Sequence, residues 1–429
     1  MVGLQWKTRS GGSSSPSRST ADQVEESLVE LAELAASAGA EVCERVLQSR
    51  PAPEAATLIG HGKVEELAAA VKSMHVDVVI FDHDLSPTQQ RNLEKALDTK
   101  VIDRTQLILD IFASRARTRE GRLQVELAQL NYLLPRLSGH GVEMSRLGGG
   151  IGTRGPGETK LETDRRRIAR RIKKIKDDLE NVRSGRALHR RRRSAVPLAT
   201  LALAGYTNAG KSTLFNRLTQ SEVLADARMF ATLDPTVRPL TLPSRRRVLA
   251  SDTVGFIRNL PTTLVKAFRA TLEEVTEATL ILHVVDVSSP AAAEHSAHVL
   301  KVLSEIGAAE VPEILVVNKI DRIPAAEAAA DAIQRRLWSH SHGGACAKVV
   351  CVSALTGEGI DQLLKTIDEM LPLDPLVRAT YRLPAGDGAT LAMFHEFGRV
   401  LEIRYTGEDC EVEVEIPESL TRRVPVAKS

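Results

Sequence analysis

A single stretch, Gly205-Tyr206-Thr207-Asn208-Ala209-Gly210-Lys211-Ser212-Thr213, fits the phosphate-binding pattern G-x-x-x-x-G-K-[ST]. The apolar run Leu201–Ala204 before it predicts a buried strand, and Leu214–Leu218 after it predicts the start of a helix. Backbone N–H groups at the N-terminus of such a helix point at a bound phosphate, and the helix dipole favours its charge. We therefore expect Lys211 to reach the β- and γ-phosphates of a nucleotide, and the Ser212 hydroxyl to coordinate Mg²⁺. For this loop alone, a chance strand–turn–helix is the alternative.

The composition is that of a multidomain globular protein. The chain has 429 residues, 43% hydrophobic and only 3% aromatic, so two to four domains with aliphatic cores are expected. The four cysteines show no C-x-x-C spacing, which argues against a disulfide framework or a zinc site and indicates a reducing compartment. No apolar run is long enough to span a bilayer. A cytoplasmic location is predicted, with loose membrane association and organelle targeting left open.

The N-terminal part divides into a tail and a small domain. The first twenty residues are rich in Ser and Gly and carry Lys7, Arg9 and Arg18 without an acid. A transit peptide fits that composition, but a disordered tail over residues 1–20 is our prediction. Residues 21–113 alternate helical and strand patterns, which predicts an α/β domain.

The hydrophobic period changes after residue 113. Two seams repeat a spacing of four and three residues, one formed by Leu123, Leu127, Leu130, Leu134 and Leu137 and the other by Ile168, Ile172, Ile175, Leu179 and Val182. They predict an antiparallel helical hairpin with coiled-coil packing over residues 114–193. Two ordinary amphipathic helices on a neighbouring core are the alternative, and both interpretations place these side chains inside.

The predicted tip of the hairpin is the glycine-rich stretch Gly148–Gly157. It contains one G-x-G-x-x-G match, but no strand precedes it, so a dinucleotide site is rejected. Such a loop can lay its backbone against phosphates, or it can be a plain connection. The following helix is densely basic, which favours binding to an RNA backbone over a merely solvated face. The candidate RNA-binding residues are Gly149, Gly150, Gly152, Thr153, Arg154, Gly155, Arg165, Arg166, Arg170, Lys173 and Lys174.

Two more domains follow. Residues 198–372 show strand–loop–helix units, which predict a doubly wound nucleotide-binding domain. Residues 376–429 show period-two patterns around a short helix, which predict a small α+β domain. The predicted fold class is therefore α/β: an N-terminal α/β domain with a long antiparallel helical hairpin, then a P-loop domain, then the small α+β domain.

Further motifs complete the phosphate site. Thr232 lies in a predicted mobile loop, where its hydroxyl can ligate Mg²⁺ and sense the γ-phosphate. Asp252-Thr253-Val254-Gly255 follows a strand pattern. We expect Asp252 to hold Mg²⁺ through water and the Gly255 amide to contact the γ-phosphate.

The remaining two motifs predict the base. Asn318-Lys319-Ile320-Asp321 and Ser353-Ala354 each follow an apolar strand pattern. A carboxylate accepts hydrogen bonds from guanine N1–H and its 2-amino group, a donor pair that adenine lacks, so Asp321 selects guanine. A backbone N–H at Ser353-Ala354 can reach guanine O6. The phosphate loop, Thr232 and the three later motifs make five motifs in a fixed order. A chance match to all five is improbable, so GTP and GDP are the predicted ligands.

With these motifs the chain resembles the translation-factor-related GTPases, and several further stretches resemble the HflX family of ribosome-associated GTPases. The resemblance extends over about Leu58 to Pro372 and is most specific in the hairpin tip. The stretches are Ile59–Lys63, Ser86–Glu94, Asp110–Ala116, Thr118–Leu127, Gly148–Glu158 and Asp252–Ile257.

The resemblance implies a stress-linked GTPase that binds the large ribosomal subunit and its rRNA and splits stalled or idle ribosomes in its GTP state. It also implies that the hairpin tip enters the peptidyl-transferase region. A monomer is expected. A GTPase for ribosome assembly or RNA maturation is the alternative within the enzyme class, and an RNA-binding module with regulatory nucleotide binding is the rival from another class.

Two residues carry further hypotheses. Phe256 stands where many small GTPases have a water-orienting glutamine, and a phenyl ring cannot orient water, so turnover of the free protein is expected to be slow and to rise on the ribosome. Packing of Phe256 on the core is compatible with the same slow rate. Asn208 occupies the position of a K⁺ ligand in the potassium-activated GTPases that this chain resembles, although an asparagine that merely satisfies the loop backbone is an equal alternative.

Overall fold

The computed structural model describes residues 1–6, 21–139, 156–193, 198–221, 229–230, 232–233, 235–258, 274–324, 326–338, 348–371 and 375–421. These residues fall into two compact units. The first contains the described residues up to Val182 and also Met229, Phe230, Thr232 and Leu233, and the second contains the others. None of the described helices is both long and apolar enough to cross a membrane.

The first unit is built on a four-stranded parallel sheet. The strands are β1 (Val2–Trp6), β2 (Val46–Arg50), β3 (Val78–Phe81) and β4 (Lys100–Asp103), in the order β2-β1-β3-β4. Parallel neighbours require crossover connections, and helices supply them. These helices are α1 (Ala21–Ser37), α2 (His61–Met74) and α3 (Pro87–Leu97), and α4 (Arg104–Arg115) follows β4.

The predicted disordered tail is wrong for residues 2–6. They form β1, which lies inside the sheet because it pairs with β2 over its whole length and with β3 at Val2. Val2 and Leu4 are buried in the domain core. Five residues give too short a pattern to stand out from the Ser/Gly-rich composition that follows them, and their pairing partners lie far along the chain.

Local signals fix the helix starts in this unit. Pro87 is the first residue of α3, and Ser86 and Gln89 form a capping box, as the Ser-Pro sequence favours. The side chain of Asp103 caps α4 by accepting a hydrogen bond from the Gln106 amide.

A buried ion cluster joins α1 to the ends of β3 and α4. The Arg104 guanidinium is buried and donates to Glu30 and to Asp82, the latter at 2.8 Å. A cation is tolerated there because two carboxylates neutralise it.

Two helices occupy the predicted hairpin region. Helix α5 spans Arg119–Leu133, and α6 spans Pro156–Arg193. On α6, Ile172, Ile175 and Leu179 are buried, as the seam predicts. On α5 the leucines of the predicted seam are only half-buried, and the buried face contains Gln124, Val125 and Ala128 instead. This seam prediction was wrong because α5 buries a different face, which also includes Glu120 and Gly121. The two helices meet where Arg171 donates twice to Glu126, at 2.6 and 2.7 Å.

The second unit contains the predicted doubly wound sheet. Its strand order is β10-β9-β8-β5-β7-β6, all parallel except the edge strand β6. The strands are β5 (Thr200–Gly205), β6 (Thr236–Thr241), β7 (Arg247–Asp252), β8 (Leu280–Asp286), β9 (Glu313–Asn318) and β10 (Lys348–Cys351). The helices are α7 (Lys211–Thr219), α8 (Ala292–Glu305), α9 (Ala326–Trp338) and α10 (Ile360–Met370). The near-continuous burial of β5, β8 and β9 is that of a sheet covered on both faces.

The C-terminal part of this unit is a small α+β arrangement, as predicted. Strands β11 (Leu376–Pro384), β12 (Arg399–Thr406) and β13 (Asp409–Pro417) form an antiparallel sheet in the order β11-β13-β12. Helices α11 (Gly388–Phe397) and α12 (Glu418–Thr421) accompany it. The alternation of Cys410, Val412, Val414 and Ile416 places one face of β13 in the core.

Candidate nucleotide site

The phosphate loop joins β5 to α7 at the carboxyl edge of the sheet. Gly210 has φ 91°, and a Cβ there would lie 2.3 Å from Asn318 Nδ2. A Cβ on Gly205 would lie 2.3 Å from the Val284 carbonyl oxygen. Both positions therefore require glycine, and Asn208 adds a further left-handed residue at φ 60°. The loop takes the strand–turn–helix setting that its sequence predicts.

Lys211 lies buried in the centre of this loop. Its ammonium donates to the carbonyl oxygens of Gly205 at 3.1 Å and Tyr206 at 2.7 Å. Burial lowers the pKa of Lys211 to about 8, and the charge of Asp252 opposes that shift. Two neutral carbonyls are a weak partner for a buried cation, so the oxygens of a bound phosphate would be a better one.

Two of the three predicted Mg²⁺ ligands, Ser212 and Asp252, lie together. The Ser212 hydroxyl donates to Asp252 Oδ2 at 2.7 Å, and Asp252 is fully buried at the end of β7. A hydroxyl and a carboxylate beside a phosphate loop are the hard oxygen donors that Mg²⁺ prefers, so the residues fit this ion. The half-buried Thr213 follows in the first turn of α7.

The segment after Asp252 is bonded to the phosphate loop through its backbone. The Thr207 amide donates to the Phe256 carbonyl at 2.8 Å, and the Phe256 amide donates to the Gly205 carbonyl at 3.1 Å. A Cβ on Gly255 would lie 3.0 Å from the Lys211 ammonium, so Gly255 passes close to the phosphate site. The Phe256 side chain is 2% exposed, which favours the core-packing interpretation of that residue.

The predicted base-binding residues form one connected group. The side chain of Asn318 makes two hydrogen bonds. Its Nδ2 donates to the Ala209 carbonyl at 2.9 Å, and its Oδ1 accepts from the backbone amide of Ala354 at 3.0 Å. The Ser353 hydroxyl donates to Asp321 Oδ1 at 2.6 Å. Lys319 donates to the Asn208 carbonyl at 2.7 Å. These bonds tie the base-recognition motifs to the phosphate loop, as one nucleotide spanning both would require.

Three contacts at the site were not predicted from the sequence. Asp286, at the end of β8, pairs with Lys319 at 2.6 Å, and an acid directly after the apolar run Leu280–Val285 was the available signal. The Tyr206 hydroxyl accepts from the Arg258 amide at 2.8 Å. Arg217 of α7 donates to the loop after β10. The last two join residues far apart in sequence, and no local pattern marks them.

Thr232 belongs to a segment that packs in the first unit. The Phe230 ring lies edge-on to Phe112 with centroids 4.5 Å apart, and the Met229 amide donates to the Ser37 hydroxyl at 3.0 Å. Thr232 itself is half-buried. Its role as a Mg²⁺ ligand stays a prediction.

The candidate RNA-binding residues divide into two sets. Gly149, Gly150, Gly152, Thr153, Arg154 and Gly155 lie outside the described residues. The basic residues of α6 are described and exposed: Arg165, Arg166, Arg170, Lys173 and Lys174. They share the helix with the buried Ile172, Ile175 and Leu179, so α6 has an apolar face and a basic face.

Fold and site together define a P-loop nucleotide-binding domain, and comparisons with known proteins agree. Residues 25–113 match a family model described as GTP-binding GTPase N-terminal, and residues 115–193 match GTP-binding GTPase Middle Region. Residues 200–319 match 50S ribosome-binding GTPase, and residues 269–373 match Elongation factor Tu GTP binding domain.

Curated relatives match nearly the whole chain. The GTPase HflX of Caldanaerobacter subterraneus is 47% identical over 93% of this chain and 90% of its own length. The GTPase HflX of Escherichia coli is 45% identical over 92% of this chain and 91% of its own length. A solved GTP-binding protein from Sulfolobus solfataricus in complex with GDP covers 86% of this chain and 97% of that one, at 23% identity and a TM-score of 0.45.

The class of protein is therefore a P-loop GTPase, an enzyme that hydrolyses GTP. Within that class, the chain belongs to the HflX family of GTPases.

Proposed function

We propose that this GTPase binds the large ribosomal subunit and dissociates stalled or idle ribosomes into subunits under stress. In this proposal it acts as a cytoplasmic monomer. The GTP state binds the ribosome, and hydrolysis to GDP releases the protein.

The basic face of α6 carries the proposal. Five exposed cations, Arg165, Arg166, Arg170, Lys173 and Lys174, lie on a helix that is anchored by buried aliphatic residues. A rigid row of cations suits the phosphate backbone of rRNA and predicts binding that weakens steeply with salt. The glycine-rich residues 148–157 run into the start of this helix at Pro156, and we propose that they enter the peptidyl-transferase region.

The nucleotide site supplies the switch. Lys211 and the amides of the loop Gly205–Thr213 would hold the phosphates, and Gly255 would contact the γ-phosphate. Ser212 and Thr232 would ligate Mg²⁺, with Asp252 holding it through water. A bound Mg²⁺ neutralises charge between the β- and γ-phosphates. Asp321 and the Ala354 amide would select guanine, with Asn318, Lys319 and Ser353 supporting them.

Phe256 and Asn208 set the expected rates. A buried Phe256 cannot orient water, which supports slow turnover of the free protein and stimulation by ribosomes. Asn208 is proposed to hold K⁺, which would offset phosphate charge. Equal rates of GTP hydrolysis in K⁺ and in Na⁺ would contradict this role of Asn208.

The RNA-binding surface is tested by measuring the affinity for large subunits against salt concentration. Replacing Arg170, Lys173 and Lys174 together by Gln should weaken binding and reduce the slope of log K against log salt by about 2, because each lost phosphate contact contributes about 0.7–0.9. Lys365→Gln on α10 is the matched control, since it removes an exposed charge elsewhere. An unchanged slope in the triple variant would exclude α6 as the rRNA contact.

Deleting residues 148–157 separates the rival functions. Dissociation of ribosomes should fail while the free protein still hydrolyses GTP. A module that only binds RNA needs the basic face and would tolerate the deletion. Association with precursor particles instead of mature subunits would favour the assembly alternative.

A further inference from the structure

We infer that Arg217 determines guanine specificity by positioning the loop that presents the Ala354 amide to the base. Arg217 lies on α7, the helix that begins at Lys211 in the phosphate loop. It does not belong to any of the five nucleotide-binding motifs. The inference rests on the proposed contact between Ala354 and guanine O6.

The guanidinium group spans two consecutive peptide units. Its Nε donates to the Ala354 carbonyl at 3.3 Å, and its Nη2 donates to the Leu355 carbonyl. A planar fork of N–H donors fixes both the position and the orientation of such a pair of carbonyls, which a single ammonium donor cannot do. The peptide unit that carries the Ala354 carbonyl follows the Ala354 amide directly, so fixing one constrains the other.

The loop after β10 is also bonded within itself, since the Gly357 amide donates to the Ser353 carbonyl at 2.8 Å and the Ser353 amide donates to the Glu358 carbonyl at 2.9 Å. Arg217 adds the anchor that comes from α7. The Leu355 side chain is 71% exposed and therefore contributes little packing. Gly357 has φ 97°, and a Cβ there would lie 3.8 Å from the Arg217 guanidinium carbon, so the group lies against the loop backbone. The Ala354 amide donates to Asn318 Oδ1 at 3.0 Å, and its proposed contact with guanine O6 would share this N–H.

Arg217 thus connects the two halves of the nucleotide site. One end of α7 holds the phosphate loop, and a side chain two turns later holds the base loop. Because the phosphates and the base of one nucleotide must be bound together, a fixed distance between the two loops would keep the Ala354 N–H within reach of position 6, where it can donate to the oxygen of guanine and not to the amino group of adenine. Arg217 is a positioning residue, since it acts through Ala354 and Leu355.

The test compares Arg217→Gln and Arg217→Lys with wild type, using GTP, ITP and ATP as probes. ITP keeps O6 and N1–H but lacks the 2-amino group. Arg217→Gln should weaken GTP and ITP binding by a common factor of roughly 10, about the contribution of one hydrogen bond, because Arg217 acts on the base only through the loop. ATP binding and the kcat for GTP should stay within about 2-fold. The GTP and ITP affinities of Arg217→Lys should lie between those of wild type and Arg217→Gln, because lysine keeps the charge but loses the planar fork of donors.

Arg335→Gln is the matched control, because Arg335 is an exposed arginine whose Nε donates within its own helix to the Asp331 carbonyl. It should leave all three affinities unchanged. Equal losses for GTP and ATP, or no loss in Arg217→Gln, would overturn the inference while leaving the guanine site intact. A wild-type protein that binds ATP as tightly as GTP would instead overturn the proposed guanine site.

Discussion

The Tyr206 ring lies parallel to the His295 imidazole, with the ring centroids 3.9 Å apart and the planes 8° from parallel. Tyr206 belongs to the phosphate loop, and His295 lies in the first turns of α8. The Tyr206 hydroxyl also accepts a hydrogen bond from the backbone amide of Arg258. The Arg258 guanidinium in turn pairs with Glu294 at 2.8 Å. One tyrosine therefore holds the segment after Gly255 against both the phosphate loop and α8.

His295 should make the stability of the protein depend on pH. Burial, and then the charges of Arg258 and His298, lower its pKa to about 4 from a usual 6.5. Between these values the unfolded state binds more protons, so the stabilisation is complete above pH 6.5 and is lost as pH falls towards 4. Between pH 6.5 and 5 the loss should be about 1.5 kcal/mol. His295→Phe, which keeps an aromatic ring but cannot titrate, should lose less stability over this range in denaturant melts, and equal losses would contradict the assignment.

Tyr206→Phe should reduce the preference for GTP over GDP. The variant keeps the ring stack but loses the bond to the Arg258 amide, so Gly255, which is proposed to contact only the γ-phosphate, is held less firmly. GTP affinity should fall about 3–10-fold, the effect of one hydrogen bond, and GDP affinity should not change. Titration with fluorescent nucleotides measures both. Tyr405→Phe, at an exposed tyrosine of β12, is the control, and a parallel fall in GDP affinity would contradict the argument.

Phe230→Ala should raise the basal rate of GTP hydrolysis. Phe230 has φ 57°, an unfavourable conformation for a bulky residue, and its contact with Phe112 offsets that cost. Thr232 is proposed to ligate Mg²⁺, and we expect a segment that is no longer held by Phe112 to supply this hydroxyl more readily. A rise of several-fold is expected in single-turnover assays. Ser37→Ala, which removes the bond to the Met229 amide, should act in the same direction but less, and a decrease in both variants would exclude a restraining role.

Asp321→Asn should shift the preferred base from guanine to xanthine. The amide offers one acceptor and one donor, which match the N1–H and 2-oxo groups of xanthine and not the paired donors of guanine. Asp321 accepts a bond from Ser353, so the side chain is already oriented towards the loop before Ala354. The ratio of XTP to GTP affinity should rise at least about 100-fold, corresponding to about 3 kcal/mol. An unchanged ratio would show that Asp321 does not contact the base.

The sequence predicted the strand-end positions of those segments that depend on local spacing, while their contacts with a nucleotide stay predictions. The phosphate loop, Asp252 to Gly255, and the two guanine motifs each lie within a few residues at a strand end, and parallel strands bring their carboxyl ends to one edge. The start of α3 was equally predictable, because Ser86 and Pro87 act through their own backbone neighbours.

Features that depend on distant partners were missed. Strand β1 exists because Val2–Trp6 pairs with Val46–Arg50, across a segment whose composition suggested a tail. The Arg217 contact joins positions separated by 137 residues, and an arginine on a helix gives no sign of its acceptor. The leucine seam of α5 failed for a related reason, since the face that includes Gly121, Gln124 and Ala128 is the one that is buried, and the partner that selects this face lies outside the local pattern.

The most direct test of the proposed function is sucrose-gradient sedimentation of intact ribosomes mixed with this protein and a non-hydrolysable GTP analogue. Conversion to separate subunits, with the protein on the large one, is predicted, because binding in the GTP state and not hydrolysis would drive separation. The same mixture with GDP should leave the ribosomes intact. Intact ribosomes with the GTP analogue, and no protein sedimenting with them, would contradict the proposal.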